Sequence, residues 1–188
     1  QAVSSRRTFA ALSGLPLFAA SLGATDFWSA LRSSGHFALI RHALAPGTGD
    51  PAGFVLNDCS TQRNLNSEGQ QQALRWGKLL RQQYRGDMQL YSSQWCRCLD
   101  TARLMALSTP QPLPLLNSFF AGRGDGDKQT QALVQYFSQA QLSQPTVLVT
   151  HQVNFTALTG IFPRSSEAVI VALPLSQPVT VLAQLNIP

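Results

Sequence analysis

Two short apolar runs, HFALIR over His36–Arg41 and TVLVT over Thr146–Thr150, each stop abruptly at a histidine, His42 and His151. Their brevity and β-branched content read as buried strands. Between them the period changes. SEGQQQALRWGKLLRQQYR carries Ala73, Trp76, Leu80 and Tyr84 on one helical stripe, and Ser67 with Gln70 reads as a capping box at its start. Met88–Tyr91 reads as a strand, Gln94–Leu107 and Thr130–Ala140 as helices, and the proline-spaced PQPLPLL as an edge strand, because each proline removes a ladder donor. AVIVALPL and VTVLAQL close the chain as two further strands. Strands alternating with helices predict an α/β fold of three layers, a mainly parallel sheet with helices on both faces and ligands at the carboxyl ends of the strands. Arg41, His42 and His151 all fall on that edge. His36 begins its strand at the opposite end and reads as structural.

A single histidine at a strand end is ordinarily a hydrogen-bonded structural residue. Two placed alike, each followed by a loop, favour a functional site. The stretch YSSQWCRCLDTARLMA adds Arg97 in the first turn of a helix. There a guanidinium is mildly unfavourable for the helix dipole, while the unpaired amides favour an anion, so Arg97 reads as an anion ligand rather than a solvated side chain. Arg103 reads as surface. Two permanent cations and two imidazoles suit a tetrahedral oxyanion such as phosphate: an imidazole can attack phosphorus, and the cations stabilise the equatorial oxygens.

The 188-residue chain fits one domain, and 44% hydrophobic against 12% charged residues argues against disorder. The net charge of +5 comes from scattered arginines without interleaved aromatics, which points to attraction for anions and away from nucleic acid. The beginning is read separately. SSRRTFAALSGLPLFAASLGA places a twin arginine before an uncharged apolar stretch that ends in small residues near Ala24. It resembles a twin-arginine export signal, so residues 1–25 are read as a leader that directs the chain to the periplasm and residues 26–188 as the single domain. An amphipathic first helix or a general secretory signal is the alternative. With Gly14 and Pro16 inside it, the stretch is a poor membrane span. Cys96 and Cys98 lie two apart on a helix and so on nearly opposite faces. Cys98 joins the stripe of Leu99, Ala102 and Met105, which makes Cys96 the better partner for Cys59 while the pairing stays open. No C-x-x-C or H-x-H spacing supports a metal, and no cofactor is implied.

The residues also carry a resemblance. IRHA at 40–43, NLNSEG at 64–69, SSQWCRCLDTA at 92–102 and LVTHQVN at 148–154 resemble the ordered signatures of the histidine phosphatase superfamily, the phosphoglycerate mutase-like proteins, from about Gly35 to the carboxyl terminus. The resemblance implies His42 as nucleophile, with Arg41 and Arg97 as phosphate ligands. It further implies His151 as the second histidine, which contacts phosphate and helps stabilise the transferring group, and Gln152 as a backbone donor behind it. Ala43 stands where the family usually has glycine. Where members that cleave alcohol phosphates carry a carboxylic acid, this chain has Asn117 and Gln152, neither of which is an acid. Asp125, Asp127 and Asp58 are the other possible proton donors, and each reads first as turn chemistry.

The implied activity is that of a metal-independent phosphatase acting on a small phosphorylated molecule or a phosphoprotein through a phosphohistidine on His42. The short chain resembles the bacterial members that act on phosphohistidine proteins more than it does the phytases or mutases. A binding module that keeps the anion pocket without turnover is the alternative, and a disulfide-stabilised structural protein leaves the two histidines unexplained. Ala45–Gln62 and Asn117–Lys128 are expected to frame the substrate, with Asn57, Asp58, Gln62, Arg63, Arg123 and Lys128 as contacts.

Overall fold

A computed structural model describes residues 24–33, 35–140 and 142–187. Residues 1–23, which hold most of the sequence read as an export leader, lie outside the described residues.

Six strands form one sheet. They are β1 (His36–Arg41), β2 (Gln89–Ser92), β3 (Gln111–Pro112), β4 (Thr146–Thr150), β5 (Ala168–Ala172) and β6 (Val181–Leu185), in the order β3-β2-β4-β1-β5-β6. The four strands from β3 to β1 are parallel, and β5 and β6 add to the sheet antiparallel. The central strands β1 and β4 are apolar on both faces, as strands covered on both sides must be. One face is covered by α1 (Ala24–Arg32), α2 (Ser67–Gln83) and α3 (Cys96–Met105), whose Phe27, Trp76, Leu80 and Met105 pack on Ile40, Val147 and Val149. The other is covered by α4 (Gly126–Ser138) and α5 (Gln152–Thr159), whose Leu133, Phe137 and Phe155 meet Phe37, Leu39 and Leu148. Alternate residues of β1 thus serve opposite cores, which fixes its register: a slip by one residue would exchange every side chain between the layers.

Two local readings change. Helix α2 is capped not by Ser67 but by Asn66, whose side chain accepts from the Gly69 amide at 2.8 Å. PQPLPLL contributes only the two-residue edge strand β3 before a 3₁₀ turn over Pro114–Leu116, because the prolines limit its ladder.

Helix α2 approaches neighbouring backbone closely at two glycines. At Gly69 a Cβ would lie 2.1 Å from the Leu44 carbonyl oxygen, and at Gly77 it would lie 2.1 Å from that of Met105. Only glycine lets α2 press on the loop after His42 and on the end of α3. Gly77→Ala is therefore expected to destabilise the protein by about 2–3 kcal/mol, as overpacking against backbone does, and urea unfolding would show it.

Candidate active site

Strands β1 and β4 deliver the two histidines. They pair in parallel with Arg41 opposite Thr150, and the His42 amide donates to the Thr150 carbonyl at 2.9 Å, so His42 and His151 leave the sheet at the same level. Their rings meet edge-on with centroids 5.5 Å apart. Both side chains are buried, as is Arg97.

The tautomer of His42 follows from its neighbours. Its Nδ1 lies 2.7 Å from the Ala43 carbonyl oxygen, an atom that can only accept, so Nδ1 carries the proton. Its Nε2 is then the lone-pair nitrogen, and the Nε–H of Arg97 points at it from 3.3 Å. The Ala43 peptide is itself held: its amide donates to Thr101 Oγ1 at 3.0 Å, and that hydroxyl donates to the Arg97 carbonyl at 2.7 Å. Helix α3 thus fixes both the imidazole and the arginine beside it.

Arg97 sits in the first turn of α3, and its outer fork grips Asp50, with Nη1 donating to Oδ1 at 2.8 Å and Nη2 to Oδ2 at 3.2 Å. Asp50 also accepts from the Arg63 amide at 3.2 Å and from Trp95 Nε1 at 3.1 Å. Burial alone would raise the Asp50 carboxyl, but the Arg97 fork, the Arg63 amide and the Trp95 indole together hold it below its ordinary value. Arg63 braces the same loop by donating to the carbonyls of Ala45 and Gly49. Arg41 donates to the Pro163 carbonyl at 2.8 Å, and its buried Nε has no hydrogen-bond partner among the described residues.

His151 caps α5 from the end of β4, with Nε2 2.8 Å from Ser93 Oγ and its ring edge-on to Trp95 at 5.4 Å. The Cys98 thiol lies 3.5 Å from the same nitrogen and is pushed up to about 12 by burial, so it stays protonated. Burial is also the largest cause that lowers both histidines well below their ordinary value; Arg97 adds to it for His42, and His42 with Arg97 adds to it for His151. Both imidazoles are neutral at neutral pH, as a nucleophile must be.

That neutrality has a consequence for stability. The unfolded chain protonates these histidines near their ordinary value while the folded chain does not, so the stability present above about pH 6.5 is lost as pH falls below it. The expected slope reaches about 1.4 kcal/mol per pH unit for each histidine, and urea unfolding across that window measures it. A flat profile from pH 7 to pH 5.5 would contradict it.

Arg41, His42, Arg97, His151 and Gln152 all line one open pocket, together with Arg63, Gly47, Thr48, Gly49, Ser118, Phe120 and Val153. Gly47, Thr48 and Gly49 of one loop expected to frame the substrate, and Ser118 and Phe120 of the other, are part of this lining. Helix α5 starts there with no side-chain cap, which leaves its first amides for an anion.

Several expected contacts lie elsewhere. Asp58 accepts from the amide and hydroxyl of Ser60, and Asp125 caps α4 by accepting from the Lys128 amide, so both do turn chemistry. Asp127 lies exposed in the first turn of α4. Gln62 braces the loop, with Oε1 accepting from the Cys96 amide and Nε2 donating to the carbonyls of Val55 and Leu56. Arg123 stacks on Phe54 with its guanidinium carbon 4.4 Å from the ring centre, and Asn57 and Lys128 are exposed. Asn117 accepts from the Gln94 amide and donates to Gln94 Oε1, which locks the turn before α3. Cys59 and Cys96 form a disulfide, which ties the loop over the pocket to the start of α3, and Cys98 is free and buried. Asp50, Ser93, Trp95 and Ser118 were not singled out by the sequence.

Residues 37–137 match the family model described as histidine phosphatase superfamily (branch 1). Among solved structures the chain is similar to the protein histidine phosphatase SixA complexed with tungstate, at 18% identity and a TM-score of 0.54, covering 80% of this chain and 96% of that one. It is similar also to the phosphoserine phosphatase of Entamoeba histolytica in complex with 3-phosphoglyceric acid, at 15% identity and a TM-score of 0.56, over 81% and 97% of the two chains. A mycobacterial glucosyl-3-phosphoglycerate phosphatase complexed with VO3 matches at 14% identity and a TM-score of 0.54, over 73% and 92%. No curated protein sequence matches the chain.

Proposed function

Because the chain belongs to the histidine phosphatase superfamily, branch 1, we propose that it is a metal-independent phosphatase that hydrolyses a phosphomonoester or a phosphorylated protein group through a phosphohistidine on His42. The observation that carries this reading is the bond from His42 Nδ1 to the Ala43 carbonyl, which leaves Nε2 unprotonated in the pocket beside Arg97. In the first step Nε2 attacks phosphorus in line and the bond to the leaving group breaks. In the second, water attacks the phosphohistidine and Nε2 regains its lone pair. Arg41, Arg97 and the first amides of α5 stabilise the charge that spreads over the equatorial oxygens, and His151 supports the transferring group from the facing strand.

The leaving group narrows the substrate. Asp50 is committed to Arg97, Asp58 and Asp125 cap turns, and Asn117 is bonded to Gln94, so none of them stands ready to protonate an alcohol. Groups that depart with little protonation, phosphohistidine and acyl phosphate, suit the site best. The disulfide between Cys59 and Cys96 supports work in an oxidising compartment, in keeping with the export signal read at the amino terminus.

The test is rapid-quench kinetics with phosphoramidate and with p-nitrophenyl phosphate. A burst of product together with an acid-labile, alkali-stable phosphoenzyme is expected, with phosphoramidate the better substrate. Tight binding of inorganic phosphate with neither burst nor turnover would instead make the chain a binding module, the reading that the missing acid favours.

A further inference from the structure

We propose that Asp50 is a positioning residue for phosphoryl transfer, which acts through Arg97 and keeps the guanidinium aimed at the nucleophilic nitrogen of His42. The proposal rests on the reading of the site as a phosphatase. Its basis is an unbroken chain of contacts among buried groups. The Asp50 and Arg97 side chains are 5% and 3% exposed, and the carboxylate takes both ends of the guanidinium fork at 2.8 and 3.2 Å. A guanidinium is planar, so a two-point grip on its outer nitrogens fixes the direction of Nε–H, and here that direction is His42 Nε2 at 3.3 Å.

The carboxylate is fixed in turn. The Arg63 amide holds Oδ1 and the Trp95 indole holds Oδ2, at 3.2 and 3.1 Å, and Trp95 immediately precedes α3. The loop reaches the site because Gly47 and Gly49 adopt φ of +96° and +69°, conformations that turn it back toward α3 and that other residues rarely adopt. The disulfide between Cys59 and Cys96 joins the same loop to the same helix. Loop and helix are thus clasped at two places, through Asp50 on Trp95 and Arg97 and through the disulfide at Cys96.

This placement divides the work of Arg97. Its outer fork meets a fixed counterion, while Nε–H faces His42 Nε2, where phosphorus would bond, and the second proton of Nη2 is left for a phosphoryl oxygen. The counterion also opposes the resting binding of anions, so the site gives up affinity for free phosphate while keeping a donor aligned for the transition state. A proton donor in that position would have a different signature, and so would a mere loop anchor.

The experiment compares the full chain with Asp50→Asn, Arg97→Lys and the double variant, measuring kcat with phosphoramidate and the binding of inorganic phosphate by calorimetry. Asp50→Asn should lower kcat by about 10²-fold, the order expected when an aligned group is misplaced by an ångström. It should at the same time tighten phosphate by about five- to tenfold, because a negative charge near the anion has gone. The double variant should turn over within about threefold of Arg97→Lys alone, since the two residues act as one unit.

A kcat within twofold of the parent protein would overturn the proposal. So would a loss of kcat with a parallel loss of phosphate affinity, the mark of a loop anchor, or losses that multiply in the double variant. If the parent protein shows no turnover at all, the phosphatase reading fails by itself. Phosphate affinity then still decides on Asp50, and unchanged or weaker binding in Asp50→Asn counts against it. Should Asp50→Asn not fold, Trp95→Phe removes one of its anchors. A severalfold lower kcat with phosphate binding retained would then support the proposal, and an unchanged kcat would overturn it.

Discussion

His42→Ala is expected to lower turnover by at least about 10³-fold and to abolish the labelled phosphoenzyme, because the nitrogen that attacks phosphorus is removed while the cations stay in place. The substitution leaves a small cavity at the end of β1 and removes the Nδ1 bond to Ala43, so its cost to the fold is modest beside its cost to the reaction. Phosphate binding should survive, since Arg41, Arg63 and Arg97 still line the pocket. Turnover, phosphoenzyme and phosphate affinity measured on one preparation separate the nucleophile from the anion ligands. Persistence of the phosphoenzyme would mean that another group is the nucleophile.

Arg97→Ala has a double effect. The reaction loses a donor held beside the nucleophilic nitrogen of His42, and removal of one donor that stabilises transition-state charge costs about 10²–10³ in rate. The fold loses the partner of a buried carboxylate, and breaking a buried ion pair on one side costs about 3–5 kcal/mol. Asp50 would keep only the Arg63 amide and the Trp95 indole, and its carboxyl should titrate upward. Removing Asp50 as well should return much of the stability and none of the rate. Denaturant unfolding and kcat/KM for the two single variants and the double variant test both halves together. Equal stability of Arg97→Ala and the parent protein would show that Asp50 had no need of its counterion.

The part of the site that could be read from the sequence is the part tied to regular structure. His42 and His151 announce themselves because an apolar strand that stops on an imidazole is unusual twice over, and Arg97 because a first-turn arginine runs against its helix dipole. The strands of β1 and β4 were read with their observed bounds for the same reason: a buried parallel strand is a continuous apolar run. Helix ends were read less well. Gln94–Leu107 begins as helix only at Cys96, because Ser93 and Gln94 spend their hydrogen bonds on Asn117 and on the turn. Helix α5 was missed: it is short and buries Asn154, Phe155 and Leu158, so it offers no contrast between a polar and an apolar face. Helix α1 overlaps the end of the stretch read as a leader, and its nine residues are too few for Phe27 and Leu31 to show a helical period of their own.

Asp50 shows the limit most clearly. In GTGDP an aspartate between glycine and proline has every mark of turn chemistry, and nothing local distinguishes it from Asp58 or Asp125, which do just that. Its partner is 47 positions away, and only the folded loop brings them together.

Because the two histidines leave neighbouring strands in register, the chemical centre belongs to the ladder of the sheet and owes little to the length of the segments above it. The stretch around Ser118 and Phe120 could therefore be exchanged for others with the imidazole pair undisturbed, so that new selectivities are reachable by transplanting a rim onto an unchanged engine. The segment between β1 and α2 lacks that freedom, since it carries the carboxylate that steadies Arg97 and a cysteine stitched to α3.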